Sequence, residues 1–260
     1  MPTLENVEHD VLYSLFKGEP NTTKSSQALT FPKPQYWISW DGKMQALARA
    51  MRHHNVKGSD ISYDNYENWD GPRKKLESFQ LNCEYKTIVV DSITSGSDYM
   101  LRQVRKSKSG SVRASGASAG KTIAGIETNE LEDFNAEAAA LSELVALTKY
   151  LFEYKRINII LIGHVIRTEQ KSLDGKINIT RQLVTAAKKA SAKIPAYCTE
   201  IYHFDIEPSL TGGQGKINMR TSSSSEDYAR TSLNLPPLIE LGYDNLYDKY
   251  VLPAINELKK

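Results

Sequence analysis

The chain has little cysteine. Cys83 and Cys198 are the only two in 260 residues, far apart and outside any C-x-x-C pair. That count speaks against a disulfide framework and for a reducing compartment. No apolar run approaches the ~20 residues that a membrane-crossing helix needs. The polar opening "MPTLENVEHD" offers no secretory leader. The expectation is a cytoplasmic protein with no membrane partner. An excess of one charge is lacking too: 33 Lys and Arg against 31 Asp and Glu leave a net +2. Such a balance does not announce a nucleic-acid binder, so any such reading must rest on local patches. No internal repeat is visible.

What is present suits a sizeable core. At 40% hydrophobic residues, a chain of this length buries roughly 70–75% of its unfolded surface. One large domain or two small ones would both fit. "DVLYSLFKG" (10–18), "QYWISWDG" (35–42), "YKTIVVDSIT" (85–94) and "INIILIGHVIR" (157–167) read as strands, the last two buried on both faces. "SDISYDNY" reads as a weaker one. "TTKSSQALTF", stopped by Pro32 and Pro34, reads as a helix, as do "KMQALARAMRHH", "DGPRKKLESFQ" and "DFNAEAAALSELVALTKYLFEYK". "RKSKSGSVRASGASAGKTIAG" (105–125) and "EQKSLDGKINIT" read as polar loops, and "RQLVTAAKKASAK" as a helix that ends at Pro195. "CTEIYHFDIE" and "GQGKINMRTS" read as paired strands, and the tail as helix in pieces. Alternation up to about residue 167 implies an α/β fold. Its central sheet is mostly parallel with helices on both faces, and a β-rich C-terminal part follows. Residues 1–9 read as a tail on a single domain spanning 1–260.

Two stretches nearly match the phosphate-loop pattern G-x-x-x-x-G-K-[ST]. "GEPNTTKS" keeps Gly18, Lys24 and Ser25 but has Thr23 at the second glycine; "SGASAGKT" (115–122) keeps Gly120, Lys121 and Thr122 but has Ser115 at the first. Such a loop needs a strand before it and a helix after it, so that backbone N–H groups surround the phosphates. The first stretch has both. It also has a downstream acid, Asp91, at the end of a buried strand, where P-loop proteins hold hydrated Mg²⁺. The second has neither strand nor acid and reads as a flexible Ser/Gly loop. The nucleotide-binding candidates are therefore Gly18, Glu19, Pro20, Asn21, Thr22, Thr23, Lys24, Ser25 and Ser26, with Ser25 and Asp91 for the metal, Asp91 through water. The competing reading is an ordinary strand-turn-helix with "EPN" as its turn. If position 23 needs a positive φ, its threonine costs about 1–2 kcal/mol. Charge-assisted contacts from Lys24 can exceed that.

The order of segments resembles the RecA-type ATPase core, in particular the small RecA-like ATPases that phages encode for single-strand-annealing recombination. "GEPNTTKS", "YWISWDGK", "TIVVDSIT" and "IILIGHVIR" carry the likeness, with a fainter fifth in "AAKKASAKIPAYCTEIYHF"; together they run from about residue 10 to 207. The resemblance implies a RecA-like P-loop NTPase core that uses ATP and Mg²⁺, with Lys24 on the phosphates. It places Asp41 where an acid orients the attacking water, although glutamate is commoner there and reaches ~1.5 Å further. It places His164 where a polar residue senses the γ-phosphate. Asp41 also reads as a turn residue before Gly42, and a lone histidine as a structural one.

RecA-like enzymes bind single-stranded DNA through two mobile loops after these strands. The counterparts would be 102–125, with Arg102, Arg105, Lys106, Lys108, Arg113 and Lys121, and 168–190, with Lys171, Lys176, Arg181, Lys188 and Lys189. Neither offers an aromatic ring, so contact would be electrostatic and sequence-neutral; solvated surface is the competing reading. Arg220 and Arg230 are candidates for an arginine finger toward a neighbouring subunit. The resulting expectation is an ATP-binding, DNA-stimulated ATPase acting on single-stranded DNA in recombination or replication. Its partners would be a homo-oligomeric ring or filament and an annealing or single-strand-binding protein, in a host cytoplasm if phage-encoded. The rivals are a nucleotide-binding scaffold or loader with little turnover, and a hexameric helicase-type motor. The short N-terminal stretch speaks against the motor.

Overall fold

The computed structural model describes residues 10–108, 122–123, 126–127, 131–171, 177–185, 188–207, 215–225, 227–242 and 244–259. The elements are β1 (Tyr13–Gly18), α1 (Lys24–Ala28), β2 (Gln35–Ser39), α2 (Ala48–His53), β3 (Ile61–Asn65), α3 (Asp70–Leu81), β4 (Thr87–Asp91) and α4 (Ile93–Lys108). A small pair, β5 (Thr122–Ile123) and β6 (Ile126–Glu127), precedes α5 (Leu131–Lys155), β7 (Asn158–Lys171) and β8 (Ile177–Leu183). Then come α6 (Lys188–Tyr197), β9 (Glu200–Glu207), β10 (Lys216–Arg220), β11 (Leu238–Glu240), a π-helical turn at Tyr247–Val251 and α7 (Leu252–Leu258).

The main sheet runs β11-β10-β9-β1-β7-β4-β2-β3, and β8 pairs with β7. From β9 through β3 all neighbours are parallel. Parallel neighbours need long crossovers, and helices covering both faces follow from that. The apolar runs obey this rule residue by residue. Leu15, Ile38, Val90 and Leu161 enter one core with α3, α4, α5 and α6; Phe16, Trp37, Val89 and Ile160 enter the other with α1 and α7. The architecture is the expected α/β one, with a mostly parallel sheet and an antiparallel β9–β10–β11 part near the C-terminus.

The C-terminal segment holds the helix that follows the first loop. Leu246, Val251, Ala254 and Ile255 pack in the same buried cluster as Ala28, Leu29 and Phe31. Gln27 Nε2 donates to Asp244 O at 3.0 Å, and Gln27 Oε1 accepts from Leu246 N at 3.1 Å. Thr30 Oγ1 accepts from Tyr247 N at 3.2 Å.

Two loop expectations are corrected. Residues 102–108 continue helix α4, whose Ile93, Ser97, Met100 and Leu101 are buried at helical spacing while the basic residues occupy other positions. Residues 168–171 and 177–183 are strands of one hairpin, and 188–190 open α6. The hairpin is stitched by cross-strand pairs such as Thr168 and Thr180, whose hydroxyls lie 2.7 Å apart. Its polar composition hides it, because it carries no continuous apolar run. The "RQL" that reads as helix is the end of β8, and Pro195 lies inside α6 rather than ending it. Among the described residues no helix is long and apolar enough to cross a membrane.

Candidate nucleotide-binding site

The first loop leaves β1 at Gly18 and enters α1 at Lys24. Gly18 is required by space: a Cβ there would sit 2.2 Å from the Phe204 carbonyl oxygen of β9. Asn21 and Thr23 both take positive φ, 66° and 64°. Thr23 thus holds the left-handed backbone that the missing glycine would have supplied, and its ψ is 8°. Thr22 Oγ1 donates to Glu19 O at 2.8 Å and tightens the turn.

Lys24 is buried and folded back into the loop. Its Nζ donates to Gly18 O at 3.0 Å, Glu19 O at 2.7 Å and Thr22 Oγ1 at 3.1 Å. Burial pulls its pKa down to about 8, against the opposing pull of Asp91, Asp41 and Glu19. The loop therefore wraps one ammonium in its own carbonyls, the arrangement an incoming anion would compete with. Ser25 Oγ donates to Asp91 Oδ2 at 2.7 Å. Burial raises the Asp91 carboxyl above its ordinary range, with the nearby Asp41 adding to it, while Ser25 and Lys24 oppose. Ser26 Oγ lies 3.2 Å from His54 Nε2, on α1's outer side.

The sheet register brings the remaining candidates alongside. Gly18 pairs with His164, Ile162 with Asp91, and Asp91 with Ser39, two residues before Asp41. Asp41 Oδ2 stands 3.9 Å from His164 Nε2 and 3.9 Å from Lys43 Nζ; Ser92 Oγ donates to Asp41 Oδ1 at 3.4 Å. Burial alone would raise the Asp41 carboxyl, but His164, Ser95 and Lys43 outweigh it and hold it below the ordinary value. At 3.9 Å the imidazole acts as a neighbouring polar group rather than a direct donor. Asp41 is thus more than a turn residue, although Gly42, at φ 62°, does turn the chain behind it. The candidates meet at the C-terminal ends of β1, β4 and β2 and at His164, the last residue of β7 to pair with β1, on the edge where open α/β sheets present ligands.

His164 also faces outward along the chain. Its backbone N–H is held by Thr94 Oγ1 at 3.0 Å, its carbonyl accepts from Val184 N at 2.9 Å, and Thr94 Oγ1 donates to Val184 O at 3.0 Å. The stem of the β7–β8 hairpin is therefore tied to the strand end that carries His164.

Other sequence candidates fall elsewhere. Arg102 is exposed on α4, its guanidinium carbon 5.4 Å from the Tyr99 ring centre. Arg113, Lys121 and Lys176 lie outside the described residues, as do the side chains of Arg105, Lys106, Lys108, Lys171, Lys188 and Lys189. Arg230 donates to Pro195 O and Ala196 O at 3.2 and 3.3 Å and to Cys198 O, closing the C-terminal end of α6. Arg220 pairs with Asp205 at 3.1 Å. Both arginines are engaged within their own chain.

One cluster escaped the sequence. Lys17, fully buried, contacts Asp227 Oδ1, and His203 Nδ1 lies 2.7 Å from Asp227 Oδ2. Lys17 Nζ also sits 3.6 Å from the Tyr228 ring centre. Burial lowers the Lys17 pKa, and Asp227 opposes it. The available signal was a lysine inside an apolar strand, "LYSLFKG".

Comparison with known proteins agrees with the geometry. A family model described as an AAA domain matches residues 14–233. No curated protein matches the sequence. A solved KaiC-like protein from the hyperthermophilic archaeon Pyrococcus horikoshii OT3 superposes with a TM-score of 0.46 at 14% identity, over 87% of this chain and 86% of that one. The family match runs from β1, through the loop and the strand ends described above, to a point beyond β10. The chain belongs to the AAA domain family and is a P-loop ATPase.

Proposed function

We propose that the protein binds and hydrolyses ATP with Mg²⁺ and acts on single-stranded DNA in recombination or replication, as phage single-strand-annealing ATPases do. The observation that carries the nucleotide part is the Ser25–Asp91 contact at 2.7 Å beside a buried Lys24, which joins the first turn of α1 to the end of β4. The donor set fits Mg²⁺, which takes hard oxygens from one or two side chains and completes its shell with phosphate and water. When bound, that ion neutralises charge developing on the phosphates. Lys24 gives up its loop carbonyls to hold the phosphates, Ser25 and Asp91 orient the ion, and Asp41 positions the attacking water. The His164 imidazole stands 3.9 Å from Asp41 and its backbone is bonded to Thr94 and Val184, which supports a role in reporting the state of the nucleotide to β7–β8.

The test is titration with a fluorescent ATP analogue. Lys24→Ala is expected to abolish binding, and undiminished binding removes the site assignment. The second reading, a nucleotide-binding scaffold or loader with little turnover, is favoured by the left-handed Thr23 and the short acid at 41. Hydrolysis measured with and without single-stranded DNA separates the two: clear stimulation supports the ATPase, and absence of turnover supports the scaffold.

A further inference from the structure

Opposite α1, on the α6 side of the sheet, lies a cleft of about 630 Å³ lined by Arg181, Leu183, Pro195, Ser223, Asp227 and Tyr228, among others. That size falls in the range of small-molecule sites, roughly 300–1,000 Å³. Its far wall is a closed turn: Ser223 Oγ donates to Ala229 O at 3.0 Å and accepts from Ala229 N at 3.3 Å, and Ser224 N donates to Asp227 O at 2.8 Å. The near wall is β8 and α6, the helix that Lys188 and Lys189 open. Beneath it lies the buried Lys17–Asp227–His203 cluster, and Lys17 immediately precedes Gly18.

We infer that this cleft receives a nucleobase of single-stranded DNA, stacked on Tyr228. Tyr228 is 36% exposed and lines the cleft, while Lys17 Nζ covers its ring at 3.6 Å from the centre. A partly exposed ring backed by a buried cation is a fixed stacking platform, and every base has a face to offer it. Arg181 lines the same cleft and adds a positive charge beside the ring. Asp227 is buried in an ion pair with Lys17, so its charge is offset before a strand reaches the cleft. The inference rests on the proposed DNA-binding role and supplies the aromatic contact that the basic segments lack.

The experiment measures anisotropy of a labelled oligothymidylate and of an abasic oligonucleotide of the same length, without nucleotide. Thymidine monophosphate serves as the competitor from free solution. The native chain is expected to prefer the base-bearing strand. Tyr228→Ala should weaken it by roughly tenfold or more and leave the abasic strand unchanged. Tyr228→Phe should bind like the parent. Tyr228→Leu, which keeps bulk without a π-face, repeats the Ala result should Tyr228→Ala fail to fold. Equal binding of the two strands by the native chain overturns the cleft assignment and leaves the DNA role standing. Binding of neither strand removes both. Displacement of the oligothymidylate by the free monophosphate at equal concentration of bases makes the cleft a mononucleotide site and overturns the assignment to DNA.

Discussion

Replacing Thr23 by glycine should stabilise the protein and tighten nucleotide binding. Threonine is a favoured helix N-cap because its hydroxyl accepts a backbone N–H from an extended conformation. At φ 64° and ψ 8° Thr23 makes no such bond, and its Oγ1 is buried without a hydrogen-bond partner. Holding a β-branched residue left-handed costs about 1–2 kcal/mol. The orphaned hydroxyl adds about 1–3 kcal/mol. Glycine gives back about 0.5–1 kcal/mol through the freer unfolded chain. A net gain of about 1–4.5 kcal/mol follows for Thr23→Gly, or ~2–4 °C in Tm for each kcal/mol at this size. Thr23→Ala removes only the hydroxyl cost, so its melting point should fall between parent and glycine variant. Thermal melts and analogue titrations on the three chains read this directly. A glycine variant that melts at or below the parent, or binds nucleotide tenfold more weakly, refutes the reasoning and gives the hydroxyl a partner in the loaded state.

The Lys24 pKa of about 8 makes nucleotide binding pH-dependent: affinity should fall as pH rises through about 8, and analogue titrations across pH 7–9 read it. The stability sign is opposite, because the unfolded lysine binds more protons between about 8 and its ordinary value, so Lys24's contribution to stability should rise with pH there. Gly18→Ala forces a methyl onto the Phe204 carbonyl; a loss of about 1–3 kcal/mol or more is expected in denaturant melts, together with lost nucleotide binding. Lys17→Met leaves Asp227 buried without its lysine and should cost about 3–5 kcal/mol, whereas Lys17→Met with Asp227→Leu should recover much of it; equal losses in single and double variants contradict that account.

The strands that frame the site could be read from the sequence because each is buried on both faces. Val89 and Val90, or Ile160 and Leu161, feed opposite cores, and such strands read as unbroken apolar runs. Asp91 and His164 were visible for the same reason: they are the first polar residues after such a run. Spacing also singled out Lys24 and Ser25, whereas the left-handed backbone of Thr23 was only a condition until the structure showed it. The β7–β8 hairpin was not visible, since "EQKSLDGKINIT" is polar and has no apolar signature. Neither was the outer half of α4, where basic residues drew attention away from a buried Ile93–Ser97–Met100 stripe. The Lys17–Asp227–His203 cluster joins residues 210 positions apart, a pairing that no local pattern announces.

The family match ends at residue 233, yet the clasp on α1 lies after it. Asp244, Leu246 and Tyr247 hold Gln27 and Thr30, and the apolar face of Val251, Ala254 and Ile255 seals the cluster around Leu29 and Phe31. The evolutionary boundary and the mechanical one therefore differ. A chain cut where the family match stops would keep every residue of the candidate site and lose the brace behind them. Drift in those last residues would then tune how firmly the loop is held without altering any group that meets the ligand.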